Sequence, residues 1–219
     1  MNGYLFRDRA DAGRQLAHKL QHCKSKKPVV LALPRGGVPV AIEIAEALNA
    51  PLDLLLVRKI GVPWQPELAL GAVVDGETPH TFVNKGIARA AHISEAQLAV
   101  AAKRELEEIE RRRALWLGAR HQMSIRGRTA IVVDDGVATG ASIRVALKAV
   151  RAERAARVIL AAPVAPAETA TKLRADCDDV VFVATPEDFA AVGSYYEDFR
   201  QLEDIEVKNL LEQAHAKAA

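Results

Sequence analysis

Short runs of valine, isoleucine and leucine alternate with segments of helical periodicity along most of the chain. Such alternation is typical of an α/β domain in which helices cover both faces of a mostly parallel sheet. Five core strands are predicted, over Val29–Leu33, Asp53–Val57, Thr129–Val133, Val158–Ala162 and Val180–Val183. The first four runs are almost continuously apolar, as expected for strands that are covered on both sides. The pattern therefore predicts a twisted, mostly parallel sheet flanked by helices.

Two helices and a hairpin are predicted around the first strands. Helical periodicity favours an opening helix over Arg7–Leu20 and a crossover helix over Val38–Leu48. Further along, Leu70–Asp75 and His80–Asn84 flank Gly76-Glu77 and predict an inserted hairpin outside the parallel sheet.

A long helix is predicted to begin after Ser94, which forms a capping box with Gln97. Its expected core stripe consists of Leu98, Ala102, Leu106, Ile109 and Trp116. Two favourable charge pairs are expected on its surface, Glu107 with Arg111 and Glu108 with Arg112. The run Arg111-Arg112-Arg113 is interpreted as a solvated helix face, with a substrate role as the alternative.

The 219 residues are predicted to form a single domain, 1–219, with a core over about 25–185 and a small C-terminal hood over about 186–219. Within the hood, Asp204–Lys217 is predicted to be a helix. Thirty basic and 28 acidic residues leave a net charge of +2, so charge gives no reason to expect nucleic acid or a membrane as partner. Only two cysteines, no apolar leader and no run of about 20 apolar residues predict a cytoplasmic protein.

The most informative motif follows the strand that ends at Val133. Asp134 and Asp135 precede a loop of small residues that enters a helix. Backbone N–H groups of such a loop, backed by a helix N-terminus, form an anion site. A phosphorylated ribose would use both parts, because the loop takes a phosphate and the carboxylates accept hydrogen bonds from a vicinal diol. The alternative is a plain strand-to-helix turn with Ser142 as its N-cap. Gly140 is not followed by lysine, which excludes a Walker A loop.

A second candidate loop lies at the end of the first strand. Arg35 supplies a cation, and Gly36 and Gly37 allow close approach of a ligand. Arg58 and Lys59 end the next predicted strand and are expected at the same sheet edge, where ligands bind in open α/β sheets. A structural turn and a solvent-exposed strand end are the alternatives. These residues predict a second anion site, with the carboxylate pair between the two.

These motifs resemble those of type I phosphoribosyltransferases. VVDDGVATGAS is similar to their loop for 5-phosphoribosyl-1-pyrophosphate (PRPP), and LPRGG to their pyrophosphate loop, in the same order. The chain most resembles a branch of predicted phosphoribosyltransferases whose base substrate is not established, over roughly Phe6 to Val207. Gly136, Ala141 and Ser142 depart mildly from the usual loop residues, and no nucleobase-specificity motif is recognisable.

The resemblance implies a role for each motif. The 5-phosphate would be held by the loop of Gly136, Val137, Ala138, Thr139, Gly140, Ala141 and Ser142. Pyrophosphate would be held by Arg35, Gly36, Gly37, Arg58 and Lys59. Asp134 and Asp135 would hold the ribose hydroxyls and, indirectly, Mg²⁺. Together with Arg35 and Lys59, these two carboxylates form the expected catalytic set.

The resemblance also implies features outside the two loops. A non-proline cis peptide is expected near Arg35-Gly36. Because water would hydrolyse PRPP, a mobile cover is expected as well, from 61–84 or 116–127. For Glu67 a structural role is favoured, with contact to a metal or a base as the alternative. Tyr195, Tyr196 and Phe199 of the hood would stack on the base, with packing of the hood as the alternative. Relatives of this kind are commonly dimers, so the resemblance also implies a possible homodimer.

Three functions are consistent with these motifs. The first is a Mg²⁺-dependent enzyme that transfers phosphoribose from PRPP to a nitrogenous base and releases pyrophosphate. The second is a PRPP- or nucleotide-sensing regulator. The third is a phosphosugar hydrolase or phosphorolase that uses the same site.

Overall fold

The computed structural model describes residues 4–76 and 79–218. Its strands are β1 (Val29–Ala32), β2 (Leu52–Leu54), β3 (Val57–Val62), β4 (Gln65–Val74), β5 (His80–Val83), β6 (Thr129–Val133), β7 (Arg157–Val164) and β8 (Asp179–Ala184). Its α-helices are α1 (Arg9–Lys19), α2 (Gly37–Leu48), α3 (Lys85–Ala90), α4 (Glu95–Leu117), α5 (Ala141–Ala152), α6 (Ala167–Leu173) and α7 (Asp204–Ala218). No helix among these residues is long and apolar enough to cross a membrane.

Five strands form a parallel sheet in the order β2-β1-β6-β7-β8, which confirms the predicted α/β fold. Every residue of β1 and β6 is buried, because helices cover both faces of the sheet. Side chains of α1, α2 and α7 belong to the apolar core on one face, for example Leu16, Ile44 and Leu211. Side chains of α5 and α6, such as Leu147 and Leu173, belong to the core on the other face. The apolar strand runs are therefore the sequence signature of a sheet with two covered faces.

The predicted strand Asp53–Val57 is confirmed only as far as Leu54, within β2. The chain leaves the parallel sheet after Leu54 and enters a separate antiparallel sheet, of order β3-β4-β5, at Val57. The error has a physical cause, since one unbroken apolar run serves two strands that belong to different sheets. The predicted hairpin is present as β4 and β5. Residues 77–78 of its turn, and with them Glu77, lie outside the described residues.

The long helix α4 begins as predicted, with both hydrogen bonds of the Ser94 and Gln97 capping box present. Ala102, Ile109 and Trp116 of the expected stripe are buried. Leu98 and Leu106 are partly buried against the same core. The stripe therefore holds α4 against the body of the protein.

The arginine run on α4 is divided between solvent and the interior, so the interpretation as a solvated face is wrong for Arg113. Arg111 and Arg112 both pair with Glu108 near the surface, and Glu107 lies near Lys103 instead of pairing with Arg111 as expected. The guanidinium of Arg113 turns inward between two carboxylates that are almost completely buried. Because helix positions one residue apart point in different directions, a run of like charges need not share one environment.

Arg113 joins both sheets and α4 in one buried ionic network. It donates to Asp53 at 2.7 Å and to Asp75 at 2.9 Å. These two carboxylates are only 3% and 5% exposed. Asp75 also accepts from the N–H of Leu56, and Asp53 from the N–H of Met123 in the segment after α4. Burial raises the pKa of Asp75 to about 7, although the cation of Arg113 opposes the shift.

The hood packs on residues from the start of the chain. The N–H groups of Leu5 and Phe6 donate to the carbonyl of Tyr195, and the rings of Phe6 and Tyr196 lie 5.0 Å apart. The terminal helix α7, confirmed near its predicted limits, instead packs on α2 and α4. The residues before α1 and those between β8 and α7 therefore form one layer above the carboxyl edge of the parallel sheet.

Candidate functional site at the carboxyl edge of the sheet

The two candidate loops lie side by side because their strands are neighbours. β1 pairs with β6 up to Ala32 opposite Val133, and the N–H of Leu33 donates to the carbonyl of Val133 at 2.8 Å. Each strand is followed by a loop and then by the N-terminus of a helix, α2 or α5. Parallel strands bring such ends to one sheet edge. The expected juxtaposition of the two loops is therefore confirmed.

The loops are in contact at Gly36. A Cβ on this residue would overlap the carboxylate of Asp135, and a Cβ on Gly37 would lie 2.6 Å from the carbonyl oxygen of Val133. Glycine is required here for close approach of the two loops. The peptide bond between Pro34 and Arg35 is cis, one bond before the position expected from the sequence.

The loop after Asp135 is fixed at its base and exposed at its tip. The N–H of Val137 donates to the carbonyl of Val164, and Thr169 donates its hydroxyl to the carbonyl of Ala138 at 3.1 Å. Gly140, with φ of 74°, is the N-cap of α5 and supplies no side-chain cap. The alternative of Ser142 as N-cap is therefore wrong. An uncapped helix N-terminus behind an exposed loop suits an anion.

The two carboxylates have different surroundings. Asp134 accepts a hydrogen bond from the N–H of Asp135, while Asp135 is paired with the guanidinium of Arg9 at 2.7 Å. Burial raises the pKa of Asp134 well above its usual range, and the negative charge of Asp135 adds to the shift. Of the pair, Asp135 is the carboxylate with a counter-ion in the protein.

Arg35 is held by the hood. It donates to the carbonyl of Leu202 at 2.8 Å, and its Nε lies 3.0 Å from a carboxylate oxygen of Asp204 at the start of α7. The Nη2 amine takes part in neither contact and remains a donor for a ligand.

Arg58 and Lys59 do not lie where the sequence predicted, since both belong to the antiparallel sheet and not to the parallel one. Successive residues of a strand face opposite sides. Arg58 accordingly pairs with Glu105 of α4 at 2.8 Å, away from Arg35. Lys59 lines a cleft of about 440 Å³ between this sheet and the first turns of α5, together with Ser142 and other residues. Lys59 thus lies in a cleft at the start of α5, whereas Arg58 is directed toward α4.

The hood aromatics pack with one another, and Tyr196 is not placed to stack on a base. Tyr196 is 2% exposed, lies 4.8 Å from the ring of Phe199, and donates its hydroxyl to the carbonyl of Asp135 at 2.6 Å. Arg9 covers the ring of Phe199 at 4.0 Å, and Tyr195 stacks on Phe189. The packing alternative is thus the correct one for Tyr196. The hood contacts the site through the hydroxyl of Tyr196 and through backbone carbonyls that accept from Arg9 and Arg35.

Two residues of this site were not predicted from the sequence. Arg9 and Asp204 contact Asp135 and Arg35 from segments that are far away along the chain. One signal was available for Arg9, which is the first residue of a helix, where acidic side chains are favoured and a cation is not.

The described residues contain no cluster of three or more histidine, cysteine, aspartate or glutamate side chains that could hold a metal ion. The adjacent pair Asp134 and Asp135 suits a Mg²⁺ that takes most of its oxygen ligands from substrate phosphates and water. Glu67 lies in β4, but its side chain is outside the described part of the structure.

Comparison with known proteins assigns the family. The model of the phosphoribosyl transferase domain matches residues 7–200. Two curated relatives, from the CDC 1551 and H37Rv strains of Mycobacterium tuberculosis and provisionally named phosphoribosyl transferases, are 46% identical over 211 residues. The matches cover 96% of this chain and 47% of each relative, so the chain spans about half the length of these proteins. The crystal structure of TT1426 from Thermus thermophilus has a TM-score of 0.81 at 42% identity, covering 95% of this chain and 98% of that one. The chain belongs to the phosphoribosyl transferase family.

Proposed function

We propose that this chain binds PRPP with Mg²⁺ and transfers its phosphoribose to a nitrogenous base, with release of pyrophosphate. The observation that carries the proposal is the contact between Gly36 and Asp135. It brings an exposed loop at a helix N-terminus, a pair of carboxylates and an arginine-glycine loop together at one sheet edge. PRPP carries the matching groups, a phosphate, two ribose hydroxyls and a pyrophosphate, in that order.

Each part of the ligand has a proposed partner. The loop from Gly136 to Ser142 takes the 5-phosphate through backbone N–H groups. Asp134 and Asp135 accept hydrogen bonds from the ribose hydroxyls. Arg35 and the backbone at Gly36 and Gly37 take the pyrophosphate. Arg58 is left out of this assignment because it pairs with Glu105.

Lys59 acts from the antiparallel sheet in this proposal. Its exposed side chain lines the cleft beside Ser142. The sheet then contributes a cation to the phosphate end of the ligand and covers that end from one side. It is the proposed cover, in preference to 116–127, since its residues line the cleft beside Ser142.

The chemical step breaks the bond between ribose C1 and the pyrophosphate oxygen and forms a bond between C1 and a nitrogen of the base, which gives up to solvent any proton that it carried. Positive charge grows on the sugar ring and negative charge on the leaving group. The guanidinium of Arg35 and the nearby amides stabilise the leaving pyrophosphate from fixed positions. Asp134 and Asp135 hold the ribose and favour the positive charge of its ring. Closure of the antiparallel sheet would exclude the water that otherwise hydrolyses PRPP.

When bound, Mg²⁺ would be held mainly by ligand oxygens, with Asp134 and Asp135 as its protein partners through water, and would neutralise charge on the pyrophosphate. The two residues are adjacent, and Asp135 already has the counter-ion Arg9. The carboxylate pair can therefore orient a hydrated cation without supplying a complete coordination shell.

Titration calorimetry with PRPP, in the presence and absence of Mg²⁺, tests the binding half of the proposal. We expect a Mg²⁺-dependent signal that is lost in the double variant Asp134→Asn/Asp135→Asn. Glu187→Gln/Asp188→Asn is the matched control, because it neutralises another adjacent pair of carboxyl groups that is exposed. Equal binding by the wild-type protein and the Asp134/Asp135 variant would show that the site is misassigned.

Release of pyrophosphate across a panel of purine, pyrimidine and pyridine bases tests the reaction. Release that depends on one base supports the transferase. Release without any base indicates a hydrolase, and binding of PRPP without release indicates a sensor.

A further inference from the structure

The carboxylate pair lies between two sites for anions, which is an unfavourable place for two negative charges. A positive charge, the guanidinium of Arg9, lies beside this pair. Arg9 donates from Nε to Asp135 at 2.7 Å, and the side chains of the two residues are 10% and 15% exposed. An ion pair with so little solvent around it is weakly screened.

Arg9 is held in place from the other side by the hood. Its Nη1 donates to the carbonyl of Arg200 at 2.9 Å, and its guanidinium lies over the ring of Phe199 at 4.0 Å. Tyr196 of the same segment donates to the backbone carbonyl of Asp135. Both the side chain and the backbone of Asp135 are thus bonded to groups outside its own loop.

The position of Arg9 breaks a local rule of helix stability. It is the first residue of α1, where the positive end of the helix dipole disfavours a cation, and it is almost completely buried. Residues that break a local rule are concentrated at functional sites. The contact that this residue gains in return is the one with Asp135.

We infer that Arg9 is a positioning residue of the ligand site, which acts as the resident counter-ion of Asp135. It holds the carboxylate against Gly36, between the two loops, and offsets its charge so that a polyanionic phosphate ester can bind beside it. Arg9 acts through Asp135 and does not itself contact the ligand. This inference rests on the proposed function.

The test compares three variants by titration calorimetry with PRPP and Mg²⁺. Arg9→Gln removes the charge and is expected to weaken binding about tenfold or more. Arg9→Lys retains the charge but loses the hydrogen bond to the carbonyl of Arg200 and most of the contact with the ring of Phe199. Its affinity is expected to remain within about threefold of wild type. Arg14→Gln, on the exposed side of the same helix, is the control and is expected to bind like wild type.

A double-mutant cycle distinguishes this role from simple packing. If Arg9 acts by offsetting the charge of Asp135, then Arg9→Gln has no further effect on affinity in the Asp135→Asn background. A packing role predicts full additivity, and it predicts that Arg9→Lys loses as much affinity as Arg9→Gln. Either of these results overturns the inference. If Arg9→Gln does not fold, the affinity of Arg9→Lys decides the question alone.

The wild-type titration separates this inference from the proposed function. Failure of the wild-type protein to bind PRPP with Mg²⁺ rejects the proposed function itself. Wild-type binding together with unchanged affinity of Arg9→Gln rejects only the role of Arg9.

Discussion

Replacing Arg113 by methionine is expected to destabilise the protein strongly, although this residue lies in a run of three arginines on a surface helix. The change leaves Asp53 and Asp75 buried without their shared cation. Loss of one partner from a buried ion pair costs about 3–5 kcal/mol of unfolding free energy. For a domain of this size, each kcal/mol lowers Tm by about 2–4 °C, so a decrease of roughly 6–20 °C is expected.

The loss of stability in Arg113→Met should also depend on pH, and the direction of this dependence follows from the pKa of Asp75. Its pKa is about 7 in the folded protein, against an ordinary value of 3.8. The folded state therefore binds a proton that the unfolded state has lost, and the stability due to this group falls as pH rises from about 4 to 7. Without Arg113 the folded pKa rises further, because an opposing cation is gone. In the variant, the stability due to Asp75 therefore continues to fall above pH 7. The difference in stability between Arg113→Met and the wild-type protein is then larger at pH 8 than at pH 6.

Scanning calorimetry at pH 6 and pH 8 measures both effects. Arg111→Met is the matched control, since Arg111 is two residues away and pairs with Glu108 at the surface. Its Tm is expected to stay within about 2 °C of wild type. The reasoning is refuted if Arg113→Met unfolds at the same temperature as Arg111→Met, or if its deficit is no larger at pH 8.

Two further substitutions test the packing of the ligand site. Gly36→Ala places a methyl group where the carboxylate of Asp135 lies. The variant should bind PRPP roughly tenfold or more weakly in titration calorimetry. Unchanged affinity would contradict the close contact of the two loops. Tyr196→Phe removes the hydrogen bond to the carbonyl of Asp135 and should lower stability by about 1 kcal/mol, or Tm by about 2–4 °C. A Tm equal to that of the wild-type protein would show that this hydrogen bond contributes nothing.

The sequence was sufficient to predict the parallel sheet and its two loops, because both depend on local patterns. The apolar run before Asp134 and the glycines after Arg35 mark a strand end and a close approach wherever the rest of the chain lies. The break between β2 and β3 could not be predicted, since Leu54 to Val57 are apolar in either strand arrangement. Arg58 was misplaced for that reason.

Contacts between distant segments could not be predicted from a single sequence. The partners of Arg113 lie in β2 and after β4, and only the folded chain brings them to α4. As an aromatic residue, Tyr196 is chemically suited to stack on a planar ligand. In the folded protein it is buried instead, because it pairs with Phe6 through a backbone β-bridge and a ring contact. In each case the environment of the residue depends on which distant segment packs against it, and the periodicity of the sequence does not contain that information.

The layer formed by the residues before α1 and those between β8 and α7 has a consequence for protein synthesis. Arg9 leaves the ribosome before its partners Asp135 and Arg200, which are 126 and 191 residues further along the chain. The parallel sheet can assemble once β8 has been made, whereas the ring of contacts around Asp135 needs residues up to about 200. A nascent chain halted before that point would contain the loops that follow β1 and β6 and yet lack the fixed carboxylate of Asp135 between them. Ligand binding by stalled chains of increasing length should therefore begin abruptly when the hood segment has left the exit tunnel.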